Sequence, residues 1–166
     1  MAWNKAVSGV VTALLMLLSA SAFAGDVNLV GTWRLVGFTR TVLATGETTD
    51  IFGKSPHGYL QYAPDGHMMV LIVGSTRPKP ADPSKMTEKE QADLYKSTIA
   101  YAGTYSFDGK MVTHHIETSW NELWSGTDQK REIKLDGDRL TVSTIPAPSP
   151  LDGKLDTAAL TFERVK

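Results

Sequence analysis

From Gly31 onward the chain alternates apolar and polar residues with a period of two, and turn signals interrupt the alternation at short intervals. That period puts successive side chains on opposite faces of an extended strand, so it selects sheets over helices. The runs that carry it are Gly31–Thr41, Thr48–Phe52, Gly58–Tyr62, Met68–Val73, Tyr101–Phe107, Met111–Ser119, Thr127–Leu135, Leu140–Thr144 and Asp156–Val165. About eight to ten antiparallel strands follow, an all-β chain whose many sequential hairpins point to an up-and-down barrel or a strongly bent sheet.

Turn chemistry sets register, and register decides which side chains share a face. Ala63-Pro64-Asp65-Gly66 suits a type I turn with Gly66 in the left-handed position. It places Gly58, Leu60 and Tyr62 beside Met68, Val70 and Ile72, and turns His57 and His67 to the wetter face. Asp108-Gly109 reads as a two-residue turn that pairs Phe107 with Lys110 and Tyr105 with Val112. Continued, that ladder sets Gly103 opposite His114, with Tyr101, Tyr105, Val112 and Ile116 on the same face. Asp136-Gly137 closes a third hairpin and puts Arg131 and Ile133 on the face of Leu140 and Val142. One short helix is expected after Thr87, where Thr87-Glu88-Lys89-Glu90 has capping-box spacing. Ala92, Leu94, Tyr95 and Ile99 give it an apolar stripe to pack on the sheet or across a barrel end. Prolines at 146, 148 and 150 mark an extended loop before the last strand.

The first 24 residues have a different pattern. Lys5 and the terminal amine form a positive region, Ala6 to Leu18 is apolar, and Ala22-Phe23-Ala24 supplies small residues for cleavage. The apolar stretch is short for a membrane span of ~20 residues. Residues 1–24 are expected to be a signal peptide cut after Ala24, leaving residues 25–166 as one domain. An exported protein, placed in the periplasm and without stable membrane insertion once the signal is removed, is the expectation.

Composition narrows the chemistry. A net charge of −1 without a basic cluster argues against nucleic acid as partner. The chain has no cysteine, which removes disulfides, zinc–cysteine sites and thiol nucleophiles. Its four histidines do not converge in sequence, and no H-E-x-x-H or calcium loop is present, so no metal is expected. G-x-S-x-G, phosphate-binding and dinucleotide fingerprints are missing too, and no cofactor is expected.

The ordered motifs Gly31-Thr32-Trp33, Gly58-Tyr59-Leu60, Tyr62-Ala63-Pro64-Asp65-Gly66, Ala100-Tyr101-Ala102-Gly103-Thr104-Tyr105, Thr113-His114-His115-Ile116, Trp124-Ser125-Gly126-Thr127-Asp128-Gln129 and Phe162-Glu163-Arg164-Val165 resemble the bacterial and fungal lipocalin-like domain family over Leu29 to Lys166. The resemblance implies a lipocalin-like barrel with an internal cavity. It also implies a structural pair at the closed barrel end, the Arg164 guanidinium covering the Trp33 indole, a contact of about 0.5–2 kcal/mol. It carries no assigned reaction, so no catalytic residue is transferred from it.

Candidate site residues come from the inner face. His114 has three readings: a buried histidine satisfied by a tyrosine or carbonyl, a ligand contact, or a proton-transfer base. Its neighbour His115 points the other way, so the two are not a chelating pair. Arg131, with Gln129 on the same face, needs an anionic or carbonyl partner: a ligand carboxylate, an internal acid, or the barrel end itself. Tyr62, Tyr101 and Tyr105 either fill the core or orient a ligand oxygen. Trp120 and Trp124 bracket a loop around Glu122, as a portal, as a stacking surface for a flat ligand, or as simple packing. Met68, Met69 and Met111 read as adaptable core or cavity lining.

The leading expectation is an exported barrel that binds a small, mainly apolar molecule with one or two polar groups. Two alternatives remain: a cofactor-independent isomerase or cyclase with His114 as candidate base and Tyr101 or Tyr105 as acid, and an envelope protein-interaction module.

Overall fold

The computed structural model describes residues 27–149 and 152–166. The expected signal peptide and Pro150 lie outside the described residues. Ten strands run in chain order: β1 Gly31–Val42, β2 Thr48–Asp50, β3 His57–Tyr62, β4 His67–Val73, β5 Thr98–Phe107, β6 Met111–Ser119, β7 Asp128–Asp136, β8 Arg139–Thr144, β9 Ala147–Pro148 and β10 Leu155–Arg164. One α-helix, α1 Glu88–Lys96, lies between β4 and β5.

Eight of the strands form a closed antiparallel barrel. The order β1-β3-β4-β5-β6-β7-β8-β10 returns on itself because β10 also pairs with β1 along Trp33↔Arg164 to Val42↔Asp156. β2 and β9 are short additions on β1 and β10. Closure leaves one interior, and alternation fills it: β4 is buried at every second residue, with Met68, Val70 and Ile72 inward. The barrel core joins these to Trp33, Leu35, Phe38, Leu60, Tyr62, Val112, Ile116, Leu140, Val142 and Phe162.

The β3–β4 hairpin has the expected register, with Tyr62↔Met68, Leu60↔Val70 and Gly58↔Ile72. The β5–β6 hairpin does not. Phe107 pairs with Val112, Tyr105 with His114 and Gly103 with Ile116, a slip of two from the expected ladder. The cause is Asp108, whose Oδ1 accepts the backbone N–H groups of Lys110 at 2.9 Å and Met111 at 2.6 Å and so widens the turn. A slip of two preserves side-chain parity, so His114 stays on the inner face. Gly103 therefore does not face the His114 ring. It sits at a break in the ladder after Ala102, where a Cβ would stand 2.0 Å from the His115 carbonyl oxygen. The β7–β8 turn is centred on Gly137-Asp138, and pairs Ile133 with Val142 and Arg131 with Thr144.

The helix is capped as expected. Thr87 accepts from Glu90 N–H, and the Glu90 carboxylate accepts the Thr87 N–H at 2.8 Å. Its apolar stripe is not buried, however: Ala92 is exposed, Leu94 half-buried and Tyr95 52% exposed. Ile99 belongs to β5. Polar bonds anchor the helix end instead, with Ser97 Oγ donating to Asp93 O at 2.6 Å and Thr98 Oγ1 to Leu94 O at 2.8 Å.

Candidate functional site

The barrel interior holds a cavity of about 70 Å³, room for several water molecules. Apolar side chains make most of the wall, including Phe38, Ile72, Val142 and Leu160. Four polar residues complete it: Tyr101, His114, Arg131 and Thr144.

His114 is 1% exposed and held at both ring nitrogens. Nε2 is 2.7 Å from the Tyr62 hydroxyl, and Nδ1 is 2.9 Å from the Tyr101 hydroxyl. Burial holds its pKa down to about 3, with smaller contributions from Arg131 and His115, so the ring is neutral at physiological pH. A neutral imidazole has one donor and one acceptor nitrogen. Tyr62 and Tyr101 are both buried, and the partner of each hydroxyl among the described residues is His114, so one hydroxyl donates to the acceptor nitrogen and the other accepts from the ring N–H. Of the two tyrosines, Tyr101 is the one that also lines the cavity. Burial pushes Tyr101 up to about 12 and Tyr62 well above its ordinary value, so both hydroxyls keep their protons.

Arg131 reaches the same cavity from β7. Nη1 donates to Lys130 O at 2.8 Å and Nη2 to Gln129 Oε1 at 3.3 Å. Among the described residues no carboxylate pairs with it. Burial lowers its pKa, while Tyr101 and Tyr62 act in the opposite direction. Neither an internal acid nor the barrel end meets Arg131 among the described residues. The barrel end belongs to Arg164, whose guanidinium carbon is 4.0 Å from the Trp33 ring centre. Arg164 Nη1 and Nη2 donate to Val30 O at 2.8 Å and Asn28 O at 3.0 Å, and Trp33 Nε1–H donates to Leu29 O at 2.8 Å.

Other candidates are distributed around this cluster. Trp124 is part of the cavity wall and packs edge-on against Tyr101 at 5.8 Å and Trp120 at 5.0 Å. Trp120 stands behind it, and Glu122 accepts from Ser125 Oγ at 3.2 Å. Tyr62, Tyr105 and Gln129 support the wall without lining it: the Tyr105 hydroxyl donates to Ala63 O, and Gln129 donates to Thr127 Oγ1. Met68 is core and Met111 half-buried, but Met69 is 55% exposed on the outer face, as its place between two inward residues requires.

Two features escaped the sequence. Thr144 joins the wall because it pairs with Arg131 across β7 and β8; an inward threonine near a strand end carries no signal of its own. On the outer face, Ser106 Oγ lies 3.1 Å from His115 Nε2, and His115 Nδ1 lies 2.7 Å from Asp128 Oδ1. This row spans three neighbouring strands on the solvent side, where only cross-strand register reveals it. Among the described residues, no three His, Asp or Glu side chains gather as a metal ion would need.

No curated protein matches the chain. The family model of the lipocalin-like domain matches residues 30–165, from just before the first barrel strand to just past the last. With a closed eight-stranded barrel around one cavity, the chain belongs to the lipocalin-like domain family.

Proposed function

We propose that this protein binds a small, mainly apolar molecule with one or two polar groups inside the barrel. The observation that carries this reading is an interior cavity with an apolar wall and one polar corner, the usual make-up of a small-molecule site. Apolar area drives entry, and the corner at Tyr101 and Arg131 fixes orientation. The geometry does not favour proton-transfer catalysis by His114. Both ring nitrogens already have partners, and a pKa near 3 makes a poor base at neutral pH. The proposal includes export, with cleavage after Ala24, which the mass of the protein isolated from its host would test.

Ala158 lines the cavity, so Ala158→Phe should fill it from within. Binding of an environment-sensitive naphthalenesulfonate dye by the full chain, followed by fluorescence titration, tests the reading. A saturable site lost in a folded Ala158→Phe variant supports it; unchanged dye binding in that variant places the site elsewhere.

A further inference from the structure

We propose that the cavity is selective for a carboxylate, held by Arg131 together with the hydroxyls of Tyr101 and Thr144. This rests on the cavity-binding reading above and specifies the head group of its ligand.

Three independent observations converge. First, Arg131 brings a positive charge to the cavity wall, and among the described residues no carboxylate balances it. Protein acceptors engage two of its five N–H donors, which leaves a fork able to meet two oxygens at once. Second, Tyr101 lines the cavity and the partner of its hydroxyl among the described residues is His114 Nδ1; with the ring proton on Nδ1, the Tyr101 O–H is left for a ligand oxygen. Third, Thr144 Oγ1 already accepts the Ala158 N–H at 2.8 Å, and its hydroxyl proton has no acceptor among the described residues. His114 is saturated by its tyrosines, so the free hydrogen-bonding capacity of these four polar wall residues is chiefly donor capacity.

A wall that offers donors and a cation, inside apolar surroundings, is matched by an oxygen-rich anion with a hydrocarbon body. A neutral alcohol or ketone would leave the guanidinium unpaired in a partly desolvated site, which is costly. A carboxylate answers both the charge and the forked geometry. Neighbouring β7 side chains do not compete, because Asp128, Lys130, Glu132 and Lys134 alternate to the exposed face.

The test is calorimetric titration of the full chain with matched pairs: hexanoate, octanoate and 4-phenylbutyrate against the corresponding primary alcohols. At least one acid should bind about tenfold or more tightly than its alcohol, the scale of a charge-assisted hydrogen bond. Arg131→Gln should lower acid affinity about tenfold more than alcohol affinity and so erase that preference. Tyr101→Phe and Thr144→Val should each reduce it several-fold, which keeps the test open if one variant fails to fold. Equal affinity for acids and alcohols in the wild type, or loss of both together in Arg131→Gln, would overturn the carboxylate assignment and leave cavity binding standing. If no acid, alcohol or dye binds at all, the cavity-binding reading falls with it.

Discussion

At the scale of single residues, the interior is organised around His114, a polar group that only partners make tolerable. Removing the Tyr62 hydroxyl leaves Nε2 without its partner, so Tyr62→Phe should cost about 1–3 kcal/mol in urea unfolding. Protonation tests the same site. The unfolded histidine titrates near its ordinary 6.5, and the folded one near 3. Below pH 6.5 the unfolded state therefore takes up a proton that the folded state refuses, and stability falls as pH falls toward 3. Between pH 6.5 and 5, before the carboxylates titrate, the wild type should lose stability more steeply than His114→Gln. Equal slopes would show that the ring accepts a proton in place. Arg131 follows a related rule: an unpaired, partly desolvated charge weakens the empty barrel, so Arg131→Met should raise its melting temperature, as measured by circular dichroism.

At the scale of elements, parity was far easier to read than register. Alternation alone placed Tyr101, Tyr105 and His114 together, because any even slip preserves faces. What it missed was the length of the Asp108 turn, since one carboxylate accepting two backbone amides turns a tight hairpin into a wider one. Alternation also could not separate wall from core: Phe38, Val142 and Leu160 have the same inward pattern as their packed neighbours. Cavity lining depends on which side chains fail to meet across the barrel. Helix α1 shows the same limit, its capping box legible in four residues and its packing not at all. At the β5–β6 irregularity, Gly103 lets two backbones approach where no side chain fits. Gly103→Ala should therefore cost about 1–3 kcal/mol by the overpacking mechanism, read from the denaturation midpoint.

At the scale of the whole molecule, closure depends on the contact between the two ends of the domain. Arg164 seals that contact over Trp33, and Gly31 leaves the space, since a Cβ there would lie 2.8 Å from the guanidinium. Long-range contacts of this kind pay for a large loop before they gain anything, so they form late in folding. Arg164→Ala should thus destabilise by about 0.5–2 kcal/mol through faster unfolding, with the refolding rate nearly unchanged in stopped-flow measurements. A slowed refolding limb would place the seal in the folding nucleus instead.

The pairing of the first barrel strand with the last also sets a clock on synthesis. β1 leaves the ribosome more than a hundred residues before β10, which at 5–20 residues per second is a wait on the order of ten seconds. Through that interval the growing chain has two unpaired strand edges and no closed interior. It is then open to chaperones and to proteases, and only the arrival of β10 ends that exposure.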